Sequence, residues 1–143
     1  MVRTEAPKRA DFSHFLKIPT RWKDVDVYGH VNNVVYYSYF DTVVTEHLVS
    51  AGGLKPMQAP TIGVVVETKC EFRKELNFPS IVDAGIRVSR LGTSSASYNI
   101  GLFVEGDDAP AAFGHFVHVY INRESRRPEA IPAQVRSALE ALM

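Results

Sequence analysis

Asn32-Asn33-Val34-Val35-Tyr36-Tyr37-Ser38-Tyr39-Phe40-Asp41-Thr42-Val43-Val44-Thr45-Glu46-His47-Leu48-Val49-Ser50 is the segment whose reading decides the fold. Its Val and Tyr content favours a strand. Its flanks and length favour a helix. Asn32 and Asn33 are good N-caps, Gly52-Gly53 closes the segment, and the run is too long for an ordinary strand. Tyr36, Phe40, Val43, Val44 and His47 follow helical spacing, and Val34, Val35, Tyr37, Tyr39 and Leu48 add apolar groups on other faces. A helix so apolar all round must be buried. Residues 32–50 are therefore expected to form one long central helix.

Downstream, after a loop with Pro56 and Pro60, the period changes from helical to alternating. Residues 61–73 put Ile62, Val64, Val66, Thr68, Cys70 and Phe72 on one face, opposite Val65, Glu67, Lys69, Glu71 and Arg73. Residues 81–91, 95–105 and 111–121 alternate likewise, separated by turns at Asn77–Ser80, Leu91–Ser94 and Gly106–Ala109. Short turns at this spacing make an antiparallel meander. Pro132 to Leu142 reads as a short amphipathic helix with Pro in its first turn. Upstream, residues 1–13 read as a polar, flexible N-terminus. His14 to Lys23 reads as a strand, with Trp22 as a core anchor and Pro19 at an edge or a strand start. The class is α+β: an antiparallel sheet must curl around the apolar helix to bury it. The other sheet face and the edges still need cover, so self-association is expected, with a dimer as the minimum.

Composition narrows the function. The 143 residues suffice for one domain with one core, and 45% apolar content excludes a disordered chain. Sixteen acids balance sixteen bases, so binding of nucleic acid through bulk charge is not indicated. The single cysteine, Cys70, excludes a disulfide framework and a cysteine metal cluster. The basic and acidic N-terminus has no apolar core for a signal peptide, and no apolar run approaches the ~20 residues that span a bilayer. A soluble, cytoplasmic protein without a membrane partner is expected.

Chemistry concentrates immediately before the helix, in Asp24-Val25-Asp26-Val27-Tyr28-Gly29-His30-Val31-Asn32-Asn33. Two carboxylates, an imidazole, a Gly and two capping Asn stand beside a helix start, where backbone N–H groups point outward unpaired. Asp24 reads as a turn or cap residue. An EF-hand reading fails, because position five would be Tyr28 and position twelve Val35, where a bidentate Glu is required. Zinc on Asp24, Asp26 and His30 lacks a fourth ligand. His115 and His118 face opposite sides of their strand and make a poor metal pair. No metal is expected.

The block Arg21-Trp22-Lys23-Asp24-Val25-Asp26-Val27-Tyr28-Gly29-His30-Val31-Asn32-Asn33-Val34-Val35-Tyr36-Tyr37-Ser38-Tyr39-Phe40 resembles the hotdog-fold acyl-CoA thioesterases of the 4-hydroxybenzoyl-CoA thioesterase family. The pattern D-x-D-x-x-G-H-x-N followed by an aromatic-rich helix carries the resemblance, and the strand order, the Phe72-Arg-Lys-Glu-Leu76 segment and the Arg126-Arg127-Pro128 tail also fit. Asp41, where many relatives carry Glu, and the lack of a following Ala-Arg are departures. The resemblance implies a hotdog fold over residues 1–143 and hydrolysis of an acyl thioester to a free acid and coenzyme A, in a homodimer or homotetramer. It implies that Asp26 is the catalytic carboxylate and that a backbone N–H at or near Asn33 polarises the carbonyl. No cofactor is needed, coenzyme A being part of the substrate.

These residue types suit that chemistry. A carboxylate can attack the thioester carbonyl, making a mixed anhydride, or draw a proton from water. A helix N-terminus supplies an oxyanion donor and favours an ionised Asp26. Gly29 permits a sharp turn and close approach of substrate to backbone. His30 is a candidate to orient Asp26 or donate toward the carbonyl. Tyr36 and its neighbours would line an acyl or aryl pocket. Arg90, Arg126 and Arg127, with Arg87 and Arg123, form basic groups suited to the phosphates of coenzyme A. A catalytically silent module that binds acyl thioesters or a partner protein is the competing class. A dehydratase on the same fold would need an acid across the site from His30, and Glu46 is a poor candidate.

Overall fold

The computed structural model describes residues 5–143. Strand β1 (His14–Pro19) leads through a 3-10 turn (Trp22–Asp24) to helix α1 (Asn33–Ser50). Strands β2 (Thr61–Phe72), β3 (Ile81–Leu91), β4 (Ser95–Val104) and β5 (Ala112–Asn122) follow, and α2 (Ala133–Glu140) closes the chain. The strands form one sheet in the order β1-β3-β4-β5-β2, with every neighbouring pair antiparallel. The sheet wraps α1 in the hotdog arrangement. Tyr36, Tyr39, Phe40, Val43, Val44 and Leu48 of the helix share one core with Val82, Ala84, Ile86, Tyr98, Ile100, Leu102, Phe116 and Tyr120 of the strands. Among the described residues, no helix is long and apolar enough to cross a membrane.

The expected elements form, with local corrections. Asn32 is the N-cap of α1, its side chain accepting from Val34 N at 3.1 Å. The helix is not buried all round: Val34 is 68% exposed and Val49 is also exposed. Strand β1 stops at Pro19, short of the expected Lys23. Thr20 N then bonds Ser80 O, and the Asp24 carboxylate reaches back to Arg21 N, drawing the chain into the 3-10 turn. Trp22 rides on that turn facing solvent, not in the core.

Within the N-terminal stretch expected to be flexible, Arg9 to Phe12 pack on the sheet, and Met1 to Thr4 lie outside the described residues. Phe12 is buried against β3 and β4, where a Cβ on Gly85 or Gly101 would fall within 3 Å of its ring. Arg9 fastens the strap. It donates to Asp83, to Asp107 O and to Val104 O, and its guanidinium lies over Phe103 at 4.9 Å.

In β2 the expected single face is broken. Val65 pairs with His118 and Glu67 with Val117, so Val66 is an extra residue. The bulge turns Ile62 and Val64 to the outer face, with Val119 and Ile121, while Thr68, Cys70 and Phe72 face α1.

Candidate functional site

A tight loop carries the block from the buried Asp24 to the helix start. Val25 and Val31 form an isolated antiparallel bridge, with Asp26 N donating to His30 O at 3.0 Å. Gly29 N closes a turn on Asp26 O, and Gly29 has φ 84°, the left-handed region that favours Gly. The Asp26 side chain folds over its own loop: Oδ1 accepts from Tyr28 N at 2.9 Å. No described residue bonds Oδ2.

Asp24 anchors this loop from beneath. It is 1% exposed and accepts from Arg21 Nη2 at 2.9 Å, Arg21 N at 2.9 Å and Tyr39 Oη at 2.8 Å. Its backbone oxygen accepts from Asn32 N, joining the anchor to the helix cap. Burial alone would raise the Asp24 carboxyl. The bonds from Arg21 and Tyr39 outweigh burial and hold it below the usual carboxylate range. Burial, then the neighbouring Asp24, push the Tyr39 phenol upward.

Asp26, His30, Asn33 and Tyr36 line one open cleft of about 530 Å³, with Phe72 and Arg73 also in its lining. Asn33 is the first residue of α1, so its N–H has no intrahelical acceptor. Val34 N and Val35 N are both taken by Asn32, leaving the Asn33 N–H open at the helix start. Tyr36 is buried, accepts from Leu76 N at 3.1 Å and packs on Phe72 with ring centroids 4.9 Å apart. Burial raises its phenol. Gly29 lies in the same loop, between Asp26 and His30, and is not among the residues that line the cleft.

His30 is held away from Asp26. Nδ1 meets Asn77 Oδ1 and Nε2 meets Glu75 Oε2, each at 3.0 Å. Glu75 and Asn77 are site residues that sequence reasoning did not single out. The signals for them were the Phe72–Leu76 segment of the resemblance, which holds Glu75, and the turn at Asn77–Ser80, which begins with Asn77. Arg90, Arg126 and Arg127 do not line this cleft. Arg90 pairs with Ser97 on the sheet face turned from α1. Arg126 and Arg127 follow β5 beside the Thr61 end of β2, whereas the cleft adjoins its Phe72 end. Glu46, near the far end of α1, binds His14 and Ser50 instead of reaching the cleft.

Known proteins share this architecture. A 1,4-dihydroxy-2-naphthoyl-CoA thioesterase from Synechocystis superposes with a TM-score of 0.81 at 13% identity, covering 90% of this chain and 96% of its own, a likeness of fold. PA2801 of Pseudomonas aeruginosa, described as a proposed thioesterase, gives 0.83 at 29% identity over 87% of this chain and 96% of its own. The PA5185 protein of Pseudomonas aeruginosa PAO1 gives 0.95 at 47% identity, over 97% of each chain. The family model of the thioesterase-like superfamily matches residues 20–139, from the anchor of the site loop to α2, and the chain belongs to that superfamily.

Proposed function

We propose that the protein hydrolyses acyl-CoA thioesters to a free acid and coenzyme A in the cleft at the start of α1. The observation that carries this reading is the shared cleft of the Asp26 carboxylate and the first residue of α1. The thioester carbonyl oxygen would accept from the Asn33 N–H, where the helix dipole favours the negative charge that develops during attack. Asp26, through its free Oδ2, is the nucleophile or the base that activates water. Tyr36 and Phe72 offer an apolar wall for the acyl group. His30, braced by Glu75 and Asn77, stiffens the loop that carries Asp26. Superfamily membership and the thioesterase names of similar structures support the same reaction class.

Self-association belongs to the proposal. Among the described residues no strand pairs with the outer edge of β2, and Val65, Val66 and Phe72 along it are exposed. Two copies paired antiparallel along β2 would bury them. β2 has 12 residues, on the order of 40 Å of strand. Antiparallel pairing carries the Thr61 end of one copy to the Phe72 end of the other. Arg126 and Arg127 of one copy would then approach the cleft of its partner, where substrate phosphates need cations.

The test is free-thiol release from a panel of aryl-, short- and long-acyl-CoA thioesters. Turnover of at least one class is expected. Binding of acyl-CoA without release of thiol across the panel would instead identify a silent binding module.

A further inference from the structure

Gly85 of β3, Gly101 of β4 and Phe113 of β5 form one cross-strand row on the sheet face turned from α1. The two glycines leave room for Phe12, whose ring a Cβ on either would meet within 3 Å, so the N-terminal strap sinks onto this row. Two residues along each strand comes the next row: Arg87, Asn99, His115 and Lys69, paired in that order. Their strand neighbours Val88, Tyr98 and Phe116 face the core, so this row also faces outward. All four residues line one cavity of about 610 Å³, together with Phe12 and other strap residues. None of them lines the cleft that holds Asp26. The volume lies in the range of small-molecule sites.

The side chains of Arg87, Asn99 and Lys69 have no hydrogen bond or ion pair among the described residues. His115 is already bonded, through Nε2 to Glu67 at 3.0 Å, so the other three are the donors left. Arg87 and Lys69 stand at the two ends of the row, three strand spacings or roughly 14 Å apart, with Asn99 between them. A singly charged ion would meet one end, whereas a group with several negative charges engages both. Two of the acids in the lining are engaged elsewhere. Asp11 accepts from Lys8 N at 2.8 Å, and Glu71 lies 3.7 Å from Arg73. Glu5 makes no such pair among the described residues, and it opposes an anion here.

We propose that this outer cavity binds a small polyvalent anion, a molecule with two or more phosphoryl or carboxylate groups, held between Arg87 and Lys69 with Asn99 donating from the middle. The guanidinium fork of Arg87 matches either group, and the Lys69 ammonium adds a point charge. The site lies across the sheet from the thioester cleft and does not depend on the thioesterase reading.

Calorimetric titration of the wild-type protein with pyrophosphate and with citrate, at one fixed ionic strength, tests the site. Saturable binding of one anion per chain is expected for at least one probe. Tighter binding of pyrophosphate would assign a phosphoryl ligand, and tighter binding of citrate a carboxylate one. Arg87→Gln and Lys69→Gln should each weaken the binding by about tenfold, because each removes a charged donor. Glu5→Gln should strengthen it, because the opposing charge is gone. All three positions are exposed, so melting temperatures without anion should stay close to that of the wild type. No saturable binding of either probe would overturn the site. Binding that Arg87→Gln and Lys69→Gln both leave unchanged would place the anion elsewhere on the surface and overturn it as well. The heat of binding needs no turnover, so this result is separate from success or failure of the thioesterase assay.

Discussion

Asp24 and Asp26 stand two residues apart and have opposite environments. Asp24 is buried and fully bonded, while Asp26 faces the cleft with one oxygen free. The first holds the loop and the second is available for chemistry. Asp24→Asn should therefore destabilise the fold by about 2 kcal/mol, because bonds to a buried charge are lost. The pH dependence follows from the direction of the shift. The folded-state pKa lies below the unfolded one, so the stabilisation is fully present above the ordinary carboxyl range and is lost as pH falls through the folded value. Melting temperatures of wild type and Asp24→Asn should differ most at neutral pH and converge in acid. A gap that persists at low pH would contradict the charge account. The pair of carboxylates was legible in the sequence, since both stand in one motif. The braces on His30 were not, because Glu75 and Asn77 reach it only through the folded loop before β3.

Elements carried most of their own signal. The helix was legible despite its Val and Tyr content, because Asn32 caps it and its length excludes a strand. Strands β3 and β4 turn their alternating apolar residues toward α1, as the pattern predicts. Strand β2 escaped the pattern at one residue. Its Val64-Val65-Val66 run contains no Gly or polar break to mark the extra residue, so the bulge is visible only through its partner strand. The N-terminal strap escaped for a related reason. A lone Phe12 among polar residues has no period, yet it fills the space that Gly85 and Gly101 leave open. Phe12→Ala should cost about 3 kcal/mol and expose residues 5–13 to proteolysis. Equal cleavage rates in wild type and variant would show that the strap holds without its plug. At the helix start, Asn32→Ala should lower stability by about 1 kcal/mol and reduce turnover, because the cap sets where the Asn33 N–H points.

At the scale of the whole molecule, one chain provides a site but leaves it open. In the proposed dimer the cleft, the exposed β2 edge and the distant Arg126 and Arg127 would come together as a single arrangement. Val66→Lys, at the bulge on that edge, should shift the protein toward the monomer in sedimentation and lower turnover with it. A monomer of unchanged activity would remove the partner's arginines from the account. The exposed β2 edge and the position of the tail arginines at its Thr61 end are not legible from one sequence, because neither is set by local pattern. The central claim is narrower and is tested by the turnover of Asp26→Asn beside wild type, on the acyl-CoA thioester that wild type hydrolyses best, with melting temperatures matched. A loss in kcat of at least ~100-fold with the fold intact is expected. A loss of only a few-fold would take the chemistry away from Asp26.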